Sequence, residues 1–393
     1  MFLALAVATT LLALVLRSVG DRRYAVGASV AFVGHLLVTA AALRYLPYGW
    51  DVRVYHETAL RLLAGEQAGG SYSTVAFGRV VASLYTLFGS EVFVVAVFNA
   101  LLAVLIPLPV AVVARSLYPS VRGATGVRTV VLFLPGAFLF LGLPMRDTLA
   151  LALFAAALAV LAYAFADDIR YLLASAPFVA ALVQIRGELA GLVAAGGALA
   201  LAVYLIERYA DRPVSVPQLV TATGAVGLAG FIPFSTRYDM STLNRQVQIR
   251  GTGGAAYLTP FEYDSWFDVF LAAPIRAVYF QFAPFPLHVT GLFDAVALAE
   301  LPLLIAVTAA AARSLWAREW SRPVGALLGV AYAGGVVGYG LVDANFGTTV
   351  RHRVPFVVLL VVFAAPVVEL WWRSAASTLG DTLSIQRKLT SDR

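Results

Sequence analysis

Asp51, Arg53, His56, Glu57 and Arg61 fall within one short stretch, Trp50-Asp51-Val52-Arg53-Val54-Tyr55-His56-Glu57 and its continuation to Glu66, in a chain only 13% charged. Carboxylates and an imidazole can move protons, and guanidinium groups bind anions. Val54, Leu60, Leu62, Leu63 and Ala64 recur among them at roughly helical spacing, which predicts an amphipathic helix lying in a membrane interface. Asp51 then sits at or just before the helix N-terminus, where the helix dipole favours a negative charge. Two readings of Asp51 follow, a helix cap or a catalytic carboxylate, and the rest of the chain has to decide between them.

Three further groups carry chemistry. Arg146-Asp147 and Arg186-Gly187-Glu188 each place an arginine beside a carboxylate at the end of an apolar run. Either arginine could be a simple end-stop reaching to water, or part of a site shared with Asp51. In Asp343-Ala344-Asn345-Phe346-Gly347-Thr348-Thr349-Val350-Arg351-His352-Arg353, three basic or potentially basic side chains stand in a row. One charge would end a span, so Arg351, His352 and Arg353 read as an anion site, with phosphate as the anion that arginine binds through paired, charge-assisted bonds. Glu300 lies inside an apolar run, where it is either functional or paired with a neighbouring helix. His35 is a packing or interhelical hydrogen-bonding residue by its surroundings. With no cysteine, only His, Asp or Glu could hold a metal. His56, His288 and His352 lack the fixed spacing of a metalloprotease site, which leaves a divalent cation open and no cofactor assigned. No phosphate-cradling glycine loop is present, since Gly196-Gly197 and Gly334-Gly335 lie within apolar runs that suit close helix packing.

The elements that must position these groups are membrane helices. The chain has 393 residues, is 61% hydrophobic and has a mean hydropathy of +0.84, values outside the range of soluble domains. Apolar runs at about 2–16, 24–46, 92–114, 129–143, 148–166, 172–185, 189–206, 219–234, 292–312, 324–342 and 354–370 predict an all-α integral membrane protein with about eleven spans. The residues from Ser73 to Gly89 read as a second interfacial helix. Residues 236–286 form the longest polar stretch, turn-rich around Arg250-Gly251-Thr252-Gly253-Gly254, with an aromatic, proline-broken end suited to a re-entrant or interface-lying element. Residues 1–373 make one polytopic membrane domain and 374–393 a cytoplasmic tail. Arginines after the first, third, seventh and ninth runs and in the tail share one side, which the positive-inside rule makes cytoplasmic. The N-terminus is then outside, as are Asp51, Arg146, Arg186 and Arg351. The net charge of +6 serves orientation, being spread over loops, so no nucleic-acid partner is expected.

The order of parts resembles a known family. Asp51 in the first external loop, Ala59-Leu60-Arg61-Leu62-Leu63-Ala64-Gly65, Leu84-Tyr85-Thr86-Leu87-Phe88-Gly89 and Phe98-Asn99-Ala100-Leu101-Leu102 are similar to motifs of the GT-C superfamily of membrane glycosyltransferases, particularly family 39-like proteins that use polyprenyl-phosphate sugars. Pro144-Met145-Arg146-Asp147, Phe282-Ala283-Pro284-Phe285-Pro286 and Asn345 to Arg353 look like motifs of its shorter members. The resemblance implies a GT-C-like fold, a polyprenyl-phosphate-linked sugar as donor, a glycan, lipid or protein hydroxyl as acceptor, and Asp51 at the reaction centre. Where many members carry a second acid beside that carboxylate, this chain has Trp50 and Val52, with Glu57 the next acid along. A sugar leaving from a phosphate, whose second pKa is about 6, needs cations more than a general acid. One carboxylate base then suffices for direct displacement with inversion. In that arrangement Asp51 is the base, Arg351, Arg353 and Arg146 or Arg186 hold the phosphate, and His56, Glu57 and His352 complete the binding residues. Two other functions fit the same outer charges: a polysaccharide polymerase, and a flippase or transporter of lipid-linked glycans whose path would include Glu300 and His35.

Overall fold

The computed structural model describes residues 1–45, 49–210, 212–237, 239–251, 255–258, 262–289, 292–375 and 377. Most of the expected tail, residues 376 and 378–393, lies outside them, as do Thr252, Gly253 and Gly254 of the turn-rich loop. The described chain is all-α, with a single isolated β-bridge between Ala256 and Asn345.

Among the described residues, six helices are long and apolar enough to cross a membrane: Phe2–Val19, Arg22–Tyr45, Val92–Leu117, Asp147–Ala166, Ile169–Tyr209 and Arg322–Val342. Phe346–His352 and Val354–Phe363, bent by 46°, make a seventh if they form one span. The expected count of eleven is therefore not reproduced, for identifiable reasons. Pro135 splits the run at 129–143 into the short helices Thr125–Leu132 and Pro135–Phe140. The run at 292–312 breaks before Leu301-Pro302 into Leu292–Leu298 and Leu301–Ala317. A 17-residue helix is about 26 Å long, short of the roughly 30 Å apolar layer. The run at 219–234 likewise yields only a shorter apolar helix, Val216–Ile232.

The two runs at 172–185 and 189–206 join into one element whose halves meet at Arg186, where the backbone is non-helical (φ −156°, ψ 80°). Ring contacts place both Tyr171 and Tyr204 at the C-terminal end of Asp147–Ala166, against Tyr163 and Phe165 at centroid separations of 5.2 and 6.2 Å. Arg186, midway between them, instead meets Asp147 at the opposite end of that helix. The chain therefore turns back at Arg186, carrying a guanidinium to the turn.

The bundle has two chemically distinct ends. At one, Arg128 pairs with Asp21 at 2.6 Å, Glu369 accepts from the Val127 N–H, and the Ser321 N–H donates to Leu117 O. The other gathers the starts or ends of Gly49–Leu63, Asp147–Ala166, Arg322–Val342 and Phe346–His352. Between them the core is Ala, Val, Leu and Phe, with backbones drawn close at glycine: a Cβ on Gly196 would stand 2.6 Å from Leu327 O, and one on Gly340 3.0 Å from Arg276 O.

The two helices expected in the first loop are present as Gly49–Leu63 and Tyr72–Phe88, the latter started by Ser71, whose hydroxyl accepts from the Thr74 N–H. They pack tightly, since a Cβ on Gly78 would lie 2.4 Å from Thr58 Cγ2. Asp51 is in the first turn of its helix. The aromatic stretch after residue 265 is one helix, Trp266–Phe282, started by a Ser265–Asp268 capping box and laid against Arg322–Val342, with Phe280 stacked on Tyr339 at 5.9 Å.

Candidate active site

A cavity of about 450 Å³ opens at the end of the bundle where these helix termini converge. Periodicity decides which side chains reach it. On Gly49–Leu63, Asp51, Val54 and Tyr55 share a face through i, i+3 and i+4 spacing, and all three line the cavity. Thr74 comes from the next helix, Arg146 and Asp147 from the start of Asp147–Ala166, and Arg186 from the turn. Ile249 and Arg250 end the Met240–Arg250 helix. Asn345 accepts from the Gly347 N–H at 2.9 Å and so starts the helix that brings Thr348, Arg351 and His352 to the same wall.

The charges interlock. Arg351 Nη1 lies 2.7 Å from Asp51 Oδ2 and 3.2 Å from Met145 Sδ, and its Nε lies 3.8 Å from Asp147 Oδ2. Arg186 Nη1 lies 2.9 Å from Asp147 Oδ1, with its guanidinium 5.9 Å from the centre of the Tyr339 ring. Arg146 donates to the Ser73 hydroxyl. Arg250 Nη1 is 2.5 Å from Asp343 Oδ1, and His352 Nδ1 is 2.8 Å from Asp343 Oδ2. Burial alone would push the Asp343 carboxyl up, but His352 and Arg250 outweigh it and hold the group below the usual carboxylate range. Four guanidinium groups thus face three carboxylates, and with the imidazole counted as neutral the site keeps one positive charge.

The structure separates the residues singled out from sequence. Asp51, Arg146, Arg186, Arg351 and His352 meet in the cavity. Arg353 does not: it is 1% exposed, donates to Ala283 O and pairs with Glu300 Oε2 at 2.6 Å, while Glu300 Oε1 accepts from the Gly136 N–H. It begins the helix beyond the 46° bend, so the three basic residues in a row are turned to different surroundings. Glu57 pairs with Arg53 at 2.6 Å on the exposed face of its helix, and His56 Nδ1 lies 2.7 Å from the Tyr85 hydroxyl. Neither lines the cavity, because i+5 and i+6 from Asp51 point away from it.

His35 is buried against Phe138, and His288 packs beside Phe346. Among the described residues no group of three or more His, Asp or Glu could hold a metal ion. Each carboxylate of the site is already engaged by a guanidinium, a donor set fitted to anions and not to a divalent cation. Sequence reading missed Asp343 and Arg250. Asp343 had a signal, a carboxylate directly after a 21-residue apolar helix; Arg250, in a polar stretch, had none. No protein-family model, curated protein or solved structure matches the chain.

Proposed function

We propose that the chain is a membrane glycosyltransferase of GT-C-like fold, which moves a sugar from a polyprenyl-phosphate-linked donor to a hydroxyl of a glycan, lipid or protein acceptor, with inversion. Its N-terminus and the cavity face the outside of the cell membrane and its C-terminus the cytoplasm. The observation that carries this reading is the meeting of Asp51 with Arg146, Arg186, Arg250 and Arg351 around one cavity at one end of an apolar bundle. A single surplus positive charge complements the one negative charge of a sugar phosphodiester. As the bond to the sugar breaks, the phosphate gains a second charge, and guanidinium groups already fixed by carboxylates stabilise it without having to reorganise.

The family resemblance puts Asp51 at the reaction centre, and its ion pair to Arg351 ties it to phosphate binding there. Glu300 is paired with Arg353 and His35 is packed against Phe138, so the two residues a transporter path would use are engaged within the bundle, which favours transfer over transport. The test is sugar transfer by the purified protein in liposomes supplied with polyprenyl-phosphate glucose or mannose and hydroxyl acceptors. Asp51→Asn, which keeps the shape and removes the charge, is expected to abolish transfer; turnover at the wild-type rate would reject Asp51 as a reaction-centre residue.

A further inference from the structure

Sugar transfer to a hydroxyl requires one proton to be removed, and three groups on the cavity wall can take it: Asp51, Asp147 and His352. Both carboxylates are engaged: Asp51 Oδ2 lies 2.7 Å from Arg351 Nη1, and Asp147 Oδ1 lies 2.9 Å from Arg186 Nη1. His352 is placed differently. Its Nδ1 faces Asp343 Oδ2 at 2.8 Å. An ionised carboxylate only accepts, so the ring proton is assigned to Nδ1 and the lone pair to Nε2. Nε2 has no hydrogen-bond partner among the described residues, and His352 lines the cavity.

Behind the ring, Asp343 is 0% exposed, and its other oxygen is held by Arg250 at 2.5 Å, so the carboxylate cannot turn away. The Tyr339 ring packs edge-on against the imidazole at 5.3 Å and restricts its rotation. This is the order of parts that general-base catalysis uses: an open imidazole nitrogen, with the other nitrogen oriented by a buried carboxylate.

Resting on the glycosyl-transfer reading, we infer that His352 Nε2 is the general base for the acceptor hydroxyl. Asp343 is its positioning residue, and Asp51 acts by holding Arg351 against the donor phosphate. The acceptor oxygen forms its bond to the anomeric carbon as its proton passes to Nε2. The bond from that carbon to the phosphate oxygen breaks, and its electron pair stays on the phosphate. The imidazolium, stabilised by Asp343, returns its proton to water once the products leave.

The experiment measures steady-state transfer in liposomes with polyprenyl-phosphate glucose or mannose, whichever the wild-type protein turns over. His352→Ala is expected to lower kcat by about 100-fold or more with the donor KM unchanged, and added imidazole is expected to restore part of the loss. Asp343→Asn is expected to lose kcat to a similar degree without restoration, since the ring it misorients still occupies the space. If alanine misfolds, His352→Gln takes its place, with lost kcat at unchanged donor KM supporting the assignment. Wild-type kcat in either His352 variant, beside an inactive Asp51→Asn, would return the base to Asp51 and leave glycosyl transfer standing. A lost kcat that imidazole does not restore in a folded His352→Ala protein would reduce His352 to a structural residue. No transfer by the wild-type protein would overturn the function itself, separately from the choice of base.

Discussion

Arg351 lies 300 positions beyond Asp51 in the chain, yet its Nη1 stands 2.7 Å from Asp51 Oδ2. The same guanidinium turns its Nε toward Asp147 at 3.8 Å, so one planar group spans two carboxylates from separate helices. A lysine ammonium is a point charge and cannot reproduce that span. Arg351→Lys is therefore expected to lose about tenfold to 100-fold in kcat/KM for the lipid-phosphate donor, and Arg351→Ala more. Initial-rate measurements decide it: full activity in the lysine variant would mean that only the charge matters.

Arg186 and Asp147 are 4% and 8% exposed, and they secure the turn that joins two halves of one helical element. Removing one partner leaves an uncompensated buried charge, at a cost of about 3–5 kcal/mol. Arg186→Leu and Asp147→Asn are each expected to lower the thermal unfolding midpoint in detergent. Arg186→Leu/Asp147→Leu is expected to recover part of the loss while remaining inactive, because the cavity has lost a cation. A double variant as unstable as the two single losses combined would show that the residues do not act as a pair.

Arg353 and Arg146 should behave in opposite ways. Arg353 is sealed with Glu300 away from the cavity, so Arg353→Met is expected to reduce stability by several kcal/mol, about 3–5 for a broken buried pair. The donor KM of the protein that remains folded should stay at the wild-type value. Arg146 is half-buried on the cavity wall, and Arg146→Gln is expected to raise the donor KM with little change in unfolding midpoint. Thermal melts and donor titrations on the same two preparations check both halves, and a raised KM in Arg353→Met would restore that residue to the phosphate site.

Much of this was legible in the sequence because the bilayer imposes simple rules. Long apolar runs had to be helices, and the charged clusters at 51–57, 146–147, 186–188 and 343–353 had to lie at their ends. The amphipathic pattern around Leu60–Ala64 correctly announced the Gly49–Leu63 helix. Run length said less about crossings, because Pro135 and the break before Leu301-Pro302 interrupt helices inside stretches that the apolar pattern reads as continuous. Membership of the site was hidden for a similar reason. Arg351, His352 and Arg353 are equivalent by composition, and only the bend between Phe346–His352 and Val354–Phe363 sends the last into the core. Arg250 reaches Asp343 through tertiary packing alone, and no local spacing could register it.

Orientation in the membrane can be tested directly because the chain contains no cysteine, so any introduced thiol is the single one present. Gln67 is exposed between the two first-loop helices at the cavity end, and Glu319 is exposed at the opposite end, just before the Arg322–Val342 helix. By the positive-inside rule, the excess of arginine near Glu319 predicts that this end is cytoplasmic. A membrane-impermeant maleimide is therefore expected to label Gln67→Cys on intact cells and Glu319→Cys only after permeabilisation. The reverse pattern would put the cavity inside the cell. A lipid-linked donor would then have to be used on the leaflet where it is made, and the acceptor sought among cytoplasmic hydroxyls.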